Sequence, residues 1–366
     1  MIIASLTYVN SPAFKKPQDW VQHVKPYFGI LEELARTHTV HCFEQISFRG
    51  EYQEKGIHYH FFNFHTRINR LPLRFHRAVK KIKPDIVFVR GLHFPFQVLL
   101  LRRALGRQVK IFLQHHAGLP GRGWSRLWQR RADRHVDGYF FADADAASTW
   151  VNKGAIAQKE KIRATGLLSS VFSPMDPAAA KAVTGVSGSP VYCWVGALHP
   201  NKDPLTVVRG FLLYIRYAPQ AKLYMIFHQA GQLESIKAIL RNEGQYNDAI
   251  ILVGPVRHEE LLYWYNSSDF IISGSHRESY GLAVCEAMSC GCIPLLTSIP
   301  SFQLLTADWS CGLAYKPGDE NALLEVLLKS KSMDIASEKE KVLQQFRKEL
   351  SFSAIATRLQ NIIMPA

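Results

Sequence analysis

The sequence predicts an α/β fold with two doubly wound domains. Short apolar runs typical of buried strands alternate with helical patterns along most of the 366 residues. This order is typical of parallel sheets covered by helices. The length also exceeds the size at which a single hydrophobic core stops growing, so two cores are expected.

The first predicted domain covers residues 1–172 and begins with a buried strand. The run at Ile2–Val9 is apolar and lacks the basic leader and cleavage site of a signal peptide. The following elements are predicted in order: a helix from about Trp20 to Thr37, a basic helix at Leu73–Lys83, and strands at Pro84–Arg90, Lys110–Gln114 and Val136–Phe141.

Residues 173–190 are predicted to form a linker, because they are rich in Ala, Gly, Ser and Pro and lack apolar periodicity. The second predicted domain covers residues 191–350. Its strands are expected at Tyr192–Val195, Lys222–Phe227, Ile250–Val253, Phe270–Ser273 and Ile293–Leu296. Residues 351–366 follow as a C-terminal segment, with a final helix predicted at Phe352–Ile363.

Two carboxylates stand eight positions apart in the most informative segment, residues 275–294. Glu278 lies on a loop after the predicted strand Phe270–Ser273, and Glu286 lies in the second turn of a helix that opens at Tyr280-Gly281. A strand, a loop, a glycine and then a helix direct backbone N–H groups toward an anion. The two carboxylates could therefore contact hydroxyls on either side of a bound diphosphate.

This segment resembles the Glu-x7-Glu signature of retaining GT-B glycosyltransferases, specifically glycosyltransferase family 4. The resemblance implies that Glu286 holds the ribose of a nucleotide sugar, and that Glu278 contacts the transferred sugar and stabilises its developing positive charge. Gly281 and Leu282 would donate backbone N–H groups to the phosphates. The common form is Glu-Gly-Phe-Gly, so Ser279 and Tyr280 are departures within the same donor site.

A second match lies at the start of the second domain, where the strand ending at Gly196 is followed by Lys202. In the family an Arg and a Lys neutralise the donor pyrophosphate. Lys202 matches the Lys and would be catalytic, and Gly196 would belong to the donor site. The Arg position is Ala197, and the sequence does not decide whether His199, Arg257 or Arg277 replaces it.

In the first domain, His115 and His116 end a predicted strand at its carboxyl side, where open α/β sheets bind ligands. The family often carries a His there that faces the transferred sugar. His116 is the better catalytic match and His115 would line the donor site. The alternative is a strand-end histidine that hydrogen-bonds to a neighbouring loop.

No metal is expected to take part. The one Asp-x-Asp pair, Asp143-Ala-Asp145, has the metal-ligand spacing of GT-A enzymes. It follows a strand and precedes Ala-rich sequence, so we interpret it as a helix N-cap with acidic first-turn charge. The expected reaction is metal-independent and uses no cofactor, with a nucleotide-diphosphate sugar as the donor substrate and a UDP-sugar favoured.

The basic charge is concentrated in the first half. Residues 1–175 carry 27 Lys and Arg against 12 Asp and Glu, whereas residues 176–366 carry 17 against 18. Such asymmetry indicates an anionic partner. The basic, aromatic segments 67–83 and 121–131 fit an anionic membrane surface, a phosphate-bearing acceptor, or a solvated face whose tryptophans pack on the domain.

The resemblance implies that two Rossmann-like domains face each other across a cleft, that the first binds the acceptor, and that the last helix crosses back to it. The implied activity is transfer of a hexose-type sugar, with retention, to the hydroxyl of a sugar or lipid-linked acceptor in cell-surface glycan or glycolipid synthesis. The alternatives are a catalytically silent nucleotide-binding protein and a basic nucleic-acid-binding protein, although nucleic acid is not the favoured partner. Six scattered cysteines and the lack of a long apolar run predict a cytoplasmic protein, peripheral at the inner face of the membrane at most.

Overall fold

The computed structural model describes residues 1–64, 72–115, 118–142, 144–165 and 168–364. The chain divides into two compact units. Unit 1 comprises Met1–Leu168 together with Ile355–Ala366, and unit 2 comprises Ser169–Ala354.

Unit 1 contains an eight-stranded sheet. Its strands are β1 (Ile2–Ser11), β2 (Thr39–Ile46), β3 (Gly50–Glu54), β4 (Ile57–Phe62), β5 (Ile86–Arg90), β6 (Lys110–Gln114), β7 (Gly138–Phe141) and β8 (Ile162–Ala164). Its helices are α1 (Pro17–Leu34), α2 (Leu73–Lys81), α3 (Pro95–Leu105), α4 (Trp124–Asp133) and α5 (Ala144–Asn152).

The strand order in unit 1 is β3-β4-β2-β1-β5-β6-β7-β8. All neighbours pair in parallel except β3 and β4, which form an antiparallel hairpin at one edge. One face of the sheet packs on apolar side chains of α2, α3 and α5, including Phe75, Val98 and Trp150. Helix α1 contributes Phe28, which stacks on Tyr59 of β4 with 6.1 Å between ring centroids.

Unit 2 contains a six-stranded, wholly parallel sheet. Its strands are β9 (Val191–Gly196), β10 (Lys222–Phe227), β11 (Ile250–Gly254), β12 (Phe270–Ser273), β13 (Ile293–Thr297) and β14 (Leu313–Tyr315). Its helices are α6 (Pro177–Thr184), α7 (Pro204–Tyr214), α8 (Leu233–Asn242), α9 (Leu261–Asn266), α10 (Leu282–Ser289), α11 (Pro300–Leu305), α12 (Glu320–Lys331) and α13 (Ile335–Gln345), and α14 (Phe352–Ile363) follows.

The strand order in unit 2 is β11-β10-β9-β12-β13-β14. Numbered within the unit, this is the 3-2-1-4-5-6 order of the Rossmann fold, with its topological switch point between β9 and β12. One face buries Cys193, Ile271, Tyr265 and Ala287. On β9, Tyr192 packs edge-on against Phe211 of α7.

The predicted fold class, two α/β units on parallel sheets, is confirmed. Lys110–Gln114, Lys222–Phe227, Phe270–Ser273 and Phe352–Ile363 begin and end where the sequence indicated. The hairpin β3–β4 and its neighbour β2 were not predicted. Among the described residues, no helix is both long and apolar enough to cross a membrane.

The segment 173–190, expected to be a linker, instead contains helix α6 and lies within unit 2. Asp176 caps the helix by accepting from the N–H groups of Ala178 and Ala179, and Gly185 ends it at φ 70°. Alanine is the best helix former, so the composition that suggested a flexible linker also favours a short helix. At the other end of the chain, residues 355–366 group with unit 1, where the Lys110 ammonium donates to the carbonyl of Ile363.

Candidate functional site

The switch point of unit 2 opens because β9 and β12 pair only at their beginnings. The pairing ends at Cys193 and Ile271, whereas the strands continue to Gly196 and Ser273. Ligands of open parallel sheets bind at such a point, outside the carboxyl ends of the strands. The loops that follow these two strands, 197–203 and 274–281, form the candidate site.

Hydrogen bonds join the two loops directly. The carbonyl of Asn201 accepts from the N–H of His276 at 2.8 Å, and the Asn201 amide donates to the carbonyl of Arg277 at 2.9 Å. Gly274 permits this approach, because a Cβ there would lie 2.8 Å from the carbonyl oxygen of Asp203. Asp203 in turn caps α7 and accepts a hydrogen bond from the His276 ring at 3.1 Å.

Lys202 and Glu278 form an ion pair between the loops. The Lys202 side chain is 31% exposed and that of Glu278 is 14% exposed, so solvent and ligands can reach both. The fully buried Ser275 donates to Oε1 of Glu278 at 2.7 Å, and Thr297 of β13 donates to the Ser275 carbonyl at 2.6 Å. The carboxylate is therefore held in position by the sheet.

Helix α10 begins beside this pair. Its N-cap is Gly281, in the left-handed region at φ 88° and ψ 52°. Because glycine has no side chain, no N-cap side chain accepts from the first-turn N–H groups. Phe302 packs where a Gly281 Cβ would stand. Leu282 is the first helical residue, Ser279 is exposed, and the Tyr280 side chain is buried, with its hydroxyl 3.8 Å from Sγ of Cys285. A ligand at this loop would therefore meet the backbone of Tyr280 rather than its ring.

Glu286 is buried on α10, and both carboxylate oxygens are hydrogen-bonded. The His258 ring contacts Oε1 at 2.7 Å, and the Tyr265 hydroxyl donates to Oε2 at 3.2 Å. The hydrogen bond to Glu286 raises the pKa of His258, against an opposing effect of desolvation. Phe172 lies against the same imidazole, with 5.2 Å between ring centroids. Glu286 is thus fixed and faces a half-exposed imidazole.

The three candidates for the missing family arginine differ in their surroundings. Arg257 is exposed and its guanidinium binds Glu260 within one turn. His199 accepts from the N–H of Asn201 through its ring. Arg277 is exposed and directly precedes Glu278. Of the three, Arg277 is the one whose carbonyl takes part in the bonds between the two loops.

In unit 1, His115 follows β6 and is buried. Its Nε2 donates to the carbonyl of Gly118 at 3.2 Å, and its ring stacks on Phe141 at 4.8 Å. This is the loop-bonded arrangement that the sequence left open as an alternative. His116 and Asp143 lie outside the described residues.

Sequence reasoning missed His258, Tyr265 and Ser275. His258 and Tyr265 are 28 and 21 residues away from Glu286 in the sequence. Ser275 stands three residues before Glu278, and a hydroxyl there carries no local signal of its role.

Solved structures share this fold along the whole chain. HepE of Anabaena in complex with UDP is 14% identical, covers 99% of each chain and has a TM-score of 0.71. A structure described as "Trehalose-6-phosphate from E. coli bound with UDP-2-fluoro glucose" is 12% identical, covers 100% of this chain and 99% of that one, and has a TM-score of 0.69. The chain therefore has the two-unit architecture of GT-B glycosyltransferase structures.

Within this fold, residues 178–348 match the family described as "Glycosyl transferases group 1". That stretch lies entirely in unit 2 and includes Lys202, Glu278 and Glu286. A curated relative, the D-inositol 3-phosphate glycosyltransferase of Thermobispora bispora, is 29% identical over 134 residues, which are 34% of this chain and 31% of that protein. The chain thus matches about a third of the length of this relative.

Proposed function

We propose that the protein is a retaining glycosyltransferase that moves a hexose-type sugar from a nucleotide-diphosphate sugar to an acceptor hydroxyl. The observation that carries the proposal is the ion pair of Lys202 and Glu278 beside the N-terminus of α10, at the switch point of the unit 2 sheet. The cation and the first-turn N–H groups, which no N-cap side chain covers, suit the negative charge that develops when a glycosyl phosphate bond breaks, and the carboxylate suits the positive charge.

The leaving diphosphate gains negative charge in the transition state. In this proposal, the Lys202 ammonium and the N–H groups that begin with Gly281 and Leu282 stabilise that charge. The helix N-terminus favours a phosphate by about 0.3–2 kcal/mol. Groups already positioned for developing charge give the largest electrostatic contribution, because no reorganisation is needed when the charge appears.

The two carboxylates have different proposed roles. Glu278 is half-buried and held by Ser275, so it suits a sugar ring whose anomeric carbon becomes positive. Glu286 is buried and fixed by His258 and Tyr265, so it suits the ribose hydroxyls of the donor. Attack by the acceptor hydroxyl on the face from which the diphosphate leaves would give retention.

The proposed donor is a UDP-sugar. HepE binds UDP, and the E. coli structure binds UDP-2-fluoro glucose. We further propose that unit 1 binds the acceptor, with His116 as a sugar-facing residue, in a metal-independent reaction serving glycan or glycolipid synthesis in the cytoplasm. The charge neutralisation that a metal would provide is assigned here to Lys202 and Arg277.

A direct test is isothermal titration of the purified protein with UDP, GDP and ADP and their common sugars, with and without EDTA. The expected result is selective binding of UDP or a UDP-sugar that EDTA does not change. Glu286→Gln should weaken that binding, whereas Glu278→Gln should chiefly lower hydrolysis or transfer. Glu325→Gln removes an exposed carboxylate on α12 and serves as the matched control.

Normal binding and turnover in both site variants would refute the site assignment. Nucleotide binding without turnover under any acceptor condition would favour a silent GT-B protein, which Ala197 at the family's arginine position makes the second candidate. Loss of binding after EDTA would refute metal independence but not the site.

A further inference from the structure

Helix α4 of unit 1 exposes its large apolar side chains and buries two of its polar side chains. A surface helix normally packs an apolar stripe against the core. In α4 the buried residues are Gln129, Ala132 and Asp133, whereas Trp124, Leu127 and Trp128 are exposed by 81%, 59% and 41%. The spacing of the exposed residues, i, i+3 and i+4, places them on one face of the helix.

The buried polar side chains of α4 are hydrogen-bonded to neighbouring segments. Asp133 accepts from the Tyr139 hydroxyl at 3.0 Å and from the N–H of Ala157 at 3.0 Å. Gln129 accepts from the N–H of Gly121 at 3.0 Å. These bonds fix the rotation of the helix, so the tryptophans cannot turn inward without breaking them.

The outward face carries a shallow groove of about 500 Å³. It is lined by Trp124, Leu127, Trp128, Arg130, Arg131 and Arg134. On its flank, Trp128 packs edge-on against Phe96 of α3 at 5.6 Å, and Phe96 is itself 38% exposed. Together Phe96, Trp124, Leu127 and Trp128 form an apolar patch, called here the α4 patch.

The charges around the α4 patch are basic. Arg126, Arg130, Arg131 and Arg134 are exposed on or directly after the helix. The acidic residue of α4, Asp133, is buried, and Asp137 pairs with Arg102 at 2.5 Å. A ligand of the α4 patch must therefore have an apolar region that can bury two indoles and a leucine. It must also carry negative charge where it meets the surrounding arginines.

We propose that the α4 patch docks on an anionic lipid bilayer. Indole rings favour the boundary between headgroups and acyl chains, where one part is apolar and the other hydrated. Basic residues near an anionic surface contribute about 1 kcal/mol each. Arginines at the edge of the apolar stripe stand at the level of the lipid phosphates when the tryptophans enter the interface.

Two other occupants fit the charges and shape less well. In a symmetric dimer the same patch meets itself, so Arg130, Arg131 and Arg134 would oppose one another across the two-fold axis. Nucleic acid would pair with the arginines, but it would not require Leu127, Trp128 and Phe96 to form a continuous apolar surface.

The test is flotation of the 366-residue protein with phosphatidylcholine vesicles, with and without phosphatidylglycerol. Binding is expected only with phosphatidylglycerol and is expected to fall as salt rises. The variant Trp124→Ala/Trp128→Ala should bind at least roughly tenfold more weakly. Arg130→Gln/Arg131→Gln should lose roughly 30-fold, which corresponds to about 1 kcal/mol per arginine.

Matched controls lie on unit 2. Tyr217→Ala/Leu304→Ala removes two exposed apolar side chains, and Lys329→Gln/Lys348→Gln removes two exposed cations; both should bind like the wild-type protein. Brominated acyl chains should quench tryptophan emission in the wild-type protein but not in Trp124→Phe/Trp128→Phe. Donor binding should be unchanged in every variant, which separates this proposal from the proposed function.

Wild-type affinity in the tryptophan variant, or equal binding to neutral vesicles, would overturn the proposal. So would a dimer in lipid-free solution that the tryptophan variant abolishes. Tighter binding to a short oligonucleotide than to vesicles, lost in the arginine variant but kept in the tryptophan variant, would assign the surface to nucleic acid instead.

Discussion

The ammonium of Lys202 and the carboxylate of Glu278 are paired although 76 residues separate them in the chain. They meet because β9 and β12 are neighbours in the sheet and each strand ends just before one of the two loops. Lys202 ends a single 3-10 turn, Pro200–Lys202, and Glu278 lies on a loop, so their relative position depends on the inter-loop bonds of Asn201, His276 and Arg277.

Replacing Lys202 with Gln should lower turnover far more than donor affinity. In the proposed reaction the amide would not neutralise the charge that grows on the leaving diphosphate, and loss of one such group typically costs about 2.7–4 kcal/mol, or roughly 10²–10³ in rate. Initial rates at saturating donor measure the effect, with Lys329→Gln as the control. A larger change in KM than in kcat would mean that Lys202 binds the ground state and the transition state equally.

Gly274→Ala should disrupt the site by separating its loops. A Cβ at this position would meet the carbonyl oxygens of Asp203 and Lys202 at 2.8 and 3.1 Å, and backbone cannot rotate away as a side chain can. Crowding of this kind costs about 1–3 kcal/mol of stability. Calorimetry should record both a lower Tm and weaker donor binding. Gly185→Ala is the comparison, because φ 70° strains alanine there while no atom lies within 4 Å. It should lower the Tm and leave donor affinity intact.

His258 should make the stability of the ligand-free protein depend on pH. The hydrogen bond to Glu286 raises its pKa above the ordinary value of 6.5. The stabilisation is therefore fully present below pH 6.5 and is lost as pH rises through the raised folded-state pKa. The neighbouring charges are Glu286 and Glu259. Urea unfolding of wild type and His258→Gln should differ most at low pH, and a difference that is constant with pH would contradict the assignment.

His76 in unit 1 should make stability depend on pH in the opposite direction. Its ring is buried and bonds to the Tyr8 hydroxyl at 2.8 Å, and desolvation lowers its pKa to about 4. The unfolded chain binds a proton near pH 6.5 but the folded chain only near pH 4, so the free energy of unfolding falls as pH decreases through this window, by on the order of 3 kcal/mol. His76→Gln should flatten that slope.

Glu44 also changes the pH dependence of stability, so a single profile of the wild-type protein does not isolate the effect of His76. Burial raises the pKa of Glu44 to about 7, against the effect of Arg90, so its contribution to stability falls as pH rises from about 4.5 to 7. The wild-type profile sums the contributions of both groups and of His41, whose pKa burial also lowers to about 4. The difference between wild type and His76→Gln isolates the histidine, and an unchanged slope would show that His76 is not neutral in the folded state.

The sequence by itself determined the local elements and the segment that forms the candidate site. Apolar runs bounded by turn residues located β6, β10 and β12, and the Tyr280-Gly281 turn located the start of α10 with Glu286 in its second turn. These features follow from backbone preference and side-chain periodicity over a few residues, which are local properties. The same composition misled at residues 173–190, where capping by Asp176 and Gly185 turns an alanine-rich stretch into a helix.

Only the tertiary structure decided which side chains meet. The partners of Glu286, the contact of Ser275 with Glu278, and the outward rotation of α4 depend on strand order and on bonds between distant segments. Trp124 and Trp128 are four residues apart whether they face the core or the solvent. What fixes their direction is the buried Asp133, through its bonds to Tyr139 and Ala157. A local pattern gives the face of a helix, and the packing around it decides which way that face points.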